Sequence, residues 1–141
     1  FADLPALADD TGLEVDALSG APGVFSSRYA GPDVTYEDNY TKLLSELKGV
    51  PREMRTARFR CVIAIDWADG THEVVEGVVE GLISETIALG QGFGYDPVFY
   101  HTASGKHFSE MSVAEKNAVS HRGLALMRAR DAIIDRLNRL R

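Results

Sequence analysis

Between Arg58 and Trp67 the chain alternates with period two, placing Phe59, Cys61, Ile63, Ile65 and Trp67 on one side. Successive side chains of a strand point to opposite faces, so this run predicts a β-strand with one apolar face. Val62 and Ala64 make the second face partly apolar as well, which predicts a central strand covered on both sides. Ala68-Asp69-Gly70-Thr71 has turn chemistry, and a partner strand is expected from about Glu73 to Glu80. The rest of the chain is fitted around this hairpin.

Upstream, Leu7-Ala8 and Leu13-Glu14-Val15-Asp16-Ala17 read as two strands separated by the polar break Asp9-Asp10-Thr11-Gly12, with the carboxylates at a strand end. Ser19 to Gly23 and Gly31-Pro32 are turns. Thr35 is placed to cap a helix whose apolar positions Tyr36, Tyr40, Leu43, Leu44 and Leu47 recur at helical spacing, ended by Gly49 and Pro51. Downstream of Ile83, Gly92-Phe93-Gly94-Tyr95-Asp96-Pro97 is a glycine-rich stretch leading into a strand at Val98-Phe99-Tyr100. Ser112-Val113-Ala114-Glu115 is a capping box opening a short helix that breaks near Ser120. A longer helix from about Arg122 carries Leu126, Ile133, Leu137 and Leu140 on its expected inner stripe.

With 141 residues and 45% hydrophobic content, the chain fits a single domain, 1–141. A net charge of −6 argues against general binding to nucleic acid, while leaving room for a small phosphorylated ligand neutralised by a metal ion and a few local cations. Cys61 is the only cysteine, which excludes disulfide frameworks and cysteine metal cages and suits a reducing cytoplasm. No apolar run approaches the roughly 20 residues needed to span a bilayer. The chain opens at Phe1 with Leu4 to Ala8 reading as an element already under way, so a preceding N-terminal portion is expected.

Three groups of residues have chemical potential. One of Asp9 and Asp10 in a pocket is able to hold Mg²⁺, which takes one or two protein carboxylates and shares its other positions with water and phosphate, or to orient an attacking water. Taken alone, such a pair at a strand end is more often a solvated turn or helix cap. Phe93 between two glycines presents its ring with little crowding, as for stacking a flat ligand; a turn with Phe93 and Tyr95 plugging the core is the alternative. Ser120-His121-Arg122-Gly123 lies between two helices, with Lys116 five residues before His121. Arg122 has only donors and His121 offers at least one, which suits a ligand edge made of acceptors such as a keto oxygen. A helix cap with surface charges is the alternative. The histidines at 72, 101, 107 and 121 lack zinc-site spacing, no phosphate loop is present, and Ser26-Ser27-Arg28-Tyr29 reads as structural.

Pro5 to Val15, Gly92 to Phe99, and Glu115-Lys116 with Ser120 to Gly123, in this order and spacing, closely resemble the inosine/xanthosine triphosphate pyrophosphatase family. Ala21 to Val24 and Ser27-Arg28-Tyr29 add to the match, which runs nearly from Phe1 to the last helix. The resemblance implies an α/β fold with a long mixed twisted sheet flanked by helices and two lobes around a substrate cleft. It implies Mg²⁺-dependent hydrolysis of dITP, ITP and XTP to monophosphate and pyrophosphate by a cytoplasmic homodimer. Carried over by position, Asp10 matches the catalytic, metal-binding aspartate, with Asp9 beside it as a second metal candidate. Thr11, Phe93, Gly94, Tyr95, Asp96, Lys116, His121 and Arg122 match substrate-binding positions. The family's N-terminal Ser/Thr-x-Asn-x-x-Lys motif and metal-ligating glutamate are not found in these 141 residues. Two expectations follow: that preceding residues carry them, favoured by the start within an element, or that the chain is a catalytically impaired nucleotide-binding or dimerisation fragment.

Overall fold

The hairpin is the centre of the fold. In the computed structural model, which describes residues 4–141, β3 (Thr56–Asp66) and β4 (His72–Ile83) pair antiparallel from Asp66↔His72 to Thr56↔Leu82. The turn closes through Trp67, whose backbone N–H donates to Thr71 O at 2.8 Å, and the Asp69 carboxylate accepts from Thr71 N–H at 3.0 Å. Both strands run longer than the alternation alone suggested.

β1 (Ala6–Val15) lies along the other side of β3 in unbroken register, from Ala6↔Asp66 to Val15↔Ala57. The expected break at Asp9–Gly12 is therefore absent, and the two carboxylates sit in mid-strand. The reason is positional: among the described residues, β1's other flank pairs with β2 (Pro22–Gly23) only at Leu13 and Glu14. Asp9 and Asp10 thus keep one side open to solvent while their backbone is paired on the other.

β5 (Phe99–His101) and β6 (Lys106–His107) extend the sheet beyond β4, giving the order β2-β1-β3-β4-β5-β6. Every pairing among the described residues is antiparallel, in a six-stranded sheet with helices packed on it that bears out the expected α/β class.

α1 (Tyr36–Glu46) starts where expected, with Thr35 and Asp38 forming a reciprocal capping box that satisfies two orphan N–H groups. Its Tyr40 and Leu43, with Leu47, join Leu13, Val15, Phe59, Val98, Phe99 and Phe108 in the main apolar cluster. Buried Arg55 ties this end together, donating to Leu47 O at 2.9 Å and to Ile83 O at 2.8 Å. A second cluster packs Cys61, Ile63, Ile65 and Trp67 against α3 (His121–Arg139). The odd positions of β3 serve both clusters, so one sheet face carries the core.

The opposite face of β3 is not covered by apolar packing among the described residues. Arg58 and Arg60 there pair with Glu14, Asp16, Glu76 and Glu80, and Val62 and Ala64 are only half-buried beside them.

α3 also turns differently from its apolar stripe. Ala125 and Ala129 are buried, and of the expected inner residues only Ile133 packs on the sheet; Leu126, Leu137 and Leu140 are exposed. Close approach explains this. A Cβ at Gly77 would lie 2.0 Å from His121 O and 2.5 Å from Ala125 N, so the helix start rests directly on β4 where no side chain fits. Small alanines then form the contact, and His121 is held at the sheet surface.

Candidate active site

The glycine-rich stretch is shaped by one acid. Asp96, 3% exposed, accepts a hydrogen bond from Phe93 N–H at 3.0 Å and another from the Lys116 ammonium. Gly92 has φ +93°, and a Cβ there would lie 2.1 Å from the Asp96 Oδ2. Glycine is thus required twice, for the left-handed backbone and for room. The result is a Phe93 ring that is half-exposed, with the Lys116 Nζ 4.7 Å from its centroid. Tyr95 points the other way: it is buried in the main cluster and its hydroxyl donates to Ser26 O at 2.7 Å. Burial pushes its phenol up, so it stays protonated at every ordinary pH.

α2 (Val113–Val119) and α3 meet at Ser120, which caps α3 by accepting from Gly123 N–H at 3.1 Å. His121 follows, 7% exposed and stacked on Phe59 with ring centroids 4.7 Å apart. Burial, helped by the nearby Arg122 and Lys116 charges, pushes its imidazole down to about 4. The ring is therefore neutral at pH 7, and its buried Nδ1 has no hydrogen-bond partner among the described residues. A buried polar atom left unpaired is uncommon.

Arg122 leans back toward the sheet. Its guanidinium donates to Asp9 Oδ2 at 2.9 and 3.2 Å and to Thr11 Oγ1 at 3.4 Å, and lies 5.9 Å from the Phe93 centroid. Strand alternation sends Asp10 to the opposite face from Asp9. The Asp10 carboxylate is exposed and, among the described residues, accepts only a local bond from Thr11 N–H at 3.0 Å.

These groups surround one cavity of about 320 Å³, within the range of about 300–1,000 Å³ common for small-molecule sites. Asp9, Asp10, Thr11, Phe93, Gly94, Tyr95, Asp96, Lys116, His121 and Arg122 all line it, although they come from segments up to 113 residues apart. Asp10 also borders a second cavity of about 330 Å³ that continues over the other side of β1 toward Gly20 and Arg60. Several lining residues had no functional reading from sequence, among them Tyr36, Asn39 and Phe59. Tyr36 and Asn39 lie in α1 and Phe59 in β3. Asn39 is buried and binds the 27–30 turn, accepting from Ala30 N–H at 2.8 Å and donating to Ser27 O at 3.2 Å. Ser26 is structural as expected, its hydroxyl accepting from Leu13 N–H at 2.9 Å.

Among the described residues no three His, Cys, Asp or Glu side chains cluster as a metal cage, and no helix is long and apolar enough to cross a membrane.

The profile of the Ham1 family matches residues 1–132. The chain belongs to the Ham1 family. Relatives within it include the dITP/XTP pyrophosphatase of Desulforamulus reducens, 52% identical over 132 residues that make up 94% of this chain and 65% of that protein. The dITP/XTP pyrophosphatase of Yersinia pseudotuberculosis is 50% identical over 134 residues, 94% of this chain and 68% of that protein. The chain thus spans about 65% of the length of the first of these relatives. Among solved structures, the Staphylococcus aureus Ham1 protein superposes with a TM-score of 0.90 at 37% identity, covering 95% of this chain and 69% of that one. A HAM1 protein from Coxiella burnetii gives 0.87 at 42% identity, covering 94% and 68%. The resemblance drawn from the three sequence segments is borne out by these Ham1 relatives, two of them named for dITP and XTP.

Proposed function

We propose that the cavity binds a purine nucleoside triphosphate carrying a keto oxygen at position six, such as dITP, ITP or XTP, and that the protein hydrolyses it to the monophosphate and pyrophosphate. The observation that carries this reading is that Arg122, the uncharged His121 and the half-exposed Phe93 ring line one cavity. A base stacked on Phe93 presents its edge to these groups. Arg122 offers donors only, which matches the keto oxygen of hypoxanthine or xanthine and leaves the amino group of adenine facing a donor. An uncharged His121 is free to take either tautomer to suit the base. Mispairing a buried polar group costs about 1–3 kcal/mol, enough for a preference of about 5- to 150-fold at each contact.

Asp10 is the catalytic carboxylate in this reading. It is exposed, free of any ion pair among the described residues, and borders both cavities, so it stands at the passage from the base to the phosphate tail. A hard, unpaired carboxylate fits Mg²⁺, which needs only one or two protein ligands when phosphate and water supply the rest. Asp9 is engaged by Arg122 and lies on the base side, so Asp10 is the ligand of the two. When bound, the ion would neutralise phosphate charge and polarise the scissile phosphoryl group. Asp10 accepts the proton of the water attacking the α-phosphorus, and the bond to the bridging oxygen breaks to release pyrophosphate. Lys116 brings an ammonium to the cavity wall, held there by Asp96. The cytoplasmic, homodimeric setting rests on the family resemblance, with the free buried Cys61 in keeping with a reducing compartment.

The Asp10→Asn variant tests the assignment. It keeps the shape of the carboxylate and removes its basicity, so calorimetry should still detect dITP while pyrophosphate release falls at least about a hundredfold. An unchanged rate would remove Asp10 from the reaction.

A further inference from the structure

Helical periodicity assigns Tyr36 to the buried stripe of α1, yet the structure does not use it there. Tyr40 and Leu43 enter the core, whereas Tyr36 remains 59% exposed and lines the 320 Å³ cavity. Its ring faces Phe93 across the cavity mouth, with centroids 6.3 Å apart and planes tilted by 47°. Phe93 is itself 52% exposed. Two exposed aromatic rings on separate elements, α1 and the 92–97 stretch, thus confront each other over the polar groups of Arg122 and His121.

The spacing is informative. Face contacts between flat rings sit at about 3.5 Å, so a planar ligand held between two rings needs about 7 Å between them. The observed separation falls short of that by less than about 1 Å, and the tilt must close toward parallel. Tyr36 can supply both adjustments by side-chain rotation, because it is exposed and sits at the first position of its helix. Phe93 cannot move as freely, since its backbone is held by Asp96.

We infer that Tyr36 is a second base-binding residue, a mobile aromatic wall that closes on the face of the purine opposite Phe93. This rests on the reading of the cavity as a purine nucleotide site and deepens it. Stacking is tolerant of base identity, because every base has a π-face. Tyr36 therefore contributes affinity for the base, while Arg122 and His121 contribute its discrimination.

The test is calorimetry on the full chain with dITP and with inorganic triphosphate, comparing wild type, Tyr36→Ala and Tyr36→Phe. Alanine is a strong helix former and the Thr35–Asp38 cap does not involve this side chain, so the fold is retained and circular dichroism verifies it. Tyr36→Ala should weaken dITP binding by about 5- to 150-fold and leave the affinity for inorganic triphosphate within about twofold of wild type. Tyr36→Phe should restore most of the loss, since the ring rather than the hydroxyl makes the contact. Wild-type affinity for dITP in Tyr36→Ala, or an equal loss for inorganic triphosphate, would overturn the inference. Failure of the wild type itself to bind dITP would overturn the purine-site reading together with it, and the wild-type titration separates that outcome from the others.

Discussion

Lys116 and Asp96 form an ion pair in which the carboxylate is almost wholly buried, and the same carboxylate holds the backbone N–H of Phe93. One acid therefore fixes both the ring and the cation that line the cavity. Asp96 matched a substrate-binding position by resemblance, and the geometry makes it the residue that positions its neighbours. Replacing it with alanine leaves Lys116, itself largely buried, without its counter-ion. Breaking a buried pair in this way costs about 3–5 kcal/mol, so Asp96→Ala should lower the unfolding free energy by about 3 kcal/mol in urea titrations. Asp96→Asn, which keeps an acceptor for Phe93 N–H, should lose less.

Gly92 and Gly94 flank the same ring and should respond unequally to alanine. Both have positive φ, +93° and +61°, but a Cβ at Gly92 runs into the Asp96 carboxylate, whereas one at Gly94 meets nothing within 4 Å. Gly94→Ala carries the left-handed backbone term alone, about 1–2 kcal/mol. Gly92→Ala adds displacement of Asp96 and should be clearly less stable in the same urea titration, with weaker nucleotide binding as Phe93 shifts. Equal stabilities for the two variants would contradict this account of the loop.

His121 makes stability depend on pH. Its folded value of about 4 lies below the ordinary histidine value of 6.5, so the unfolded chain binds the extra proton first as pH falls. Its contribution is full above about pH 6.5 and is lost progressively down to about pH 4, a total of about 3 kcal/mol for a shift of this size. Urea midpoints should therefore fall between pH 6.5 and 4, and His121→Gln should flatten that part of the profile. A profile unchanged by the substitution would place the pH dependence elsewhere.

The strands and caps were readable where the signal is local. Alternation from Phe59 to Trp67 and the Thr35 and Ser112 caps depend on neighbours in sequence, and each reappears in the structure. The continuity of β1 was hidden because Asp9 to Gly12 looks like a break, while an unpaired flank tolerates polar residues in extended chain. The rotation of α3 was hidden for a tertiary reason, the contact at Gly77, where the backbone of His121 and Ala125 lies against β4 and no side chain fits. At the site, motif order brought out the groups that gather at the cavity. It did not separate roles within them: Asp96 and Tyr95 are buried supports, and Tyr36 was invisible because periodicity does not tell which apolar position of a helix faces a ligand cavity.

The central claim is that Arg122 and His121 select a keto purine for hydrolysis at the α-phosphorus. The most direct measurement is product analysis with Mg²⁺ and equal concentrations of dITP, dATP and dGTP. The account predicts monophosphate and pyrophosphate from dITP, formed at least about tenfold faster than from dATP, as expected when one buried contact is mispaired. Equal rates on dITP and dATP, or orthophosphate in place of pyrophosphate, would contradict it.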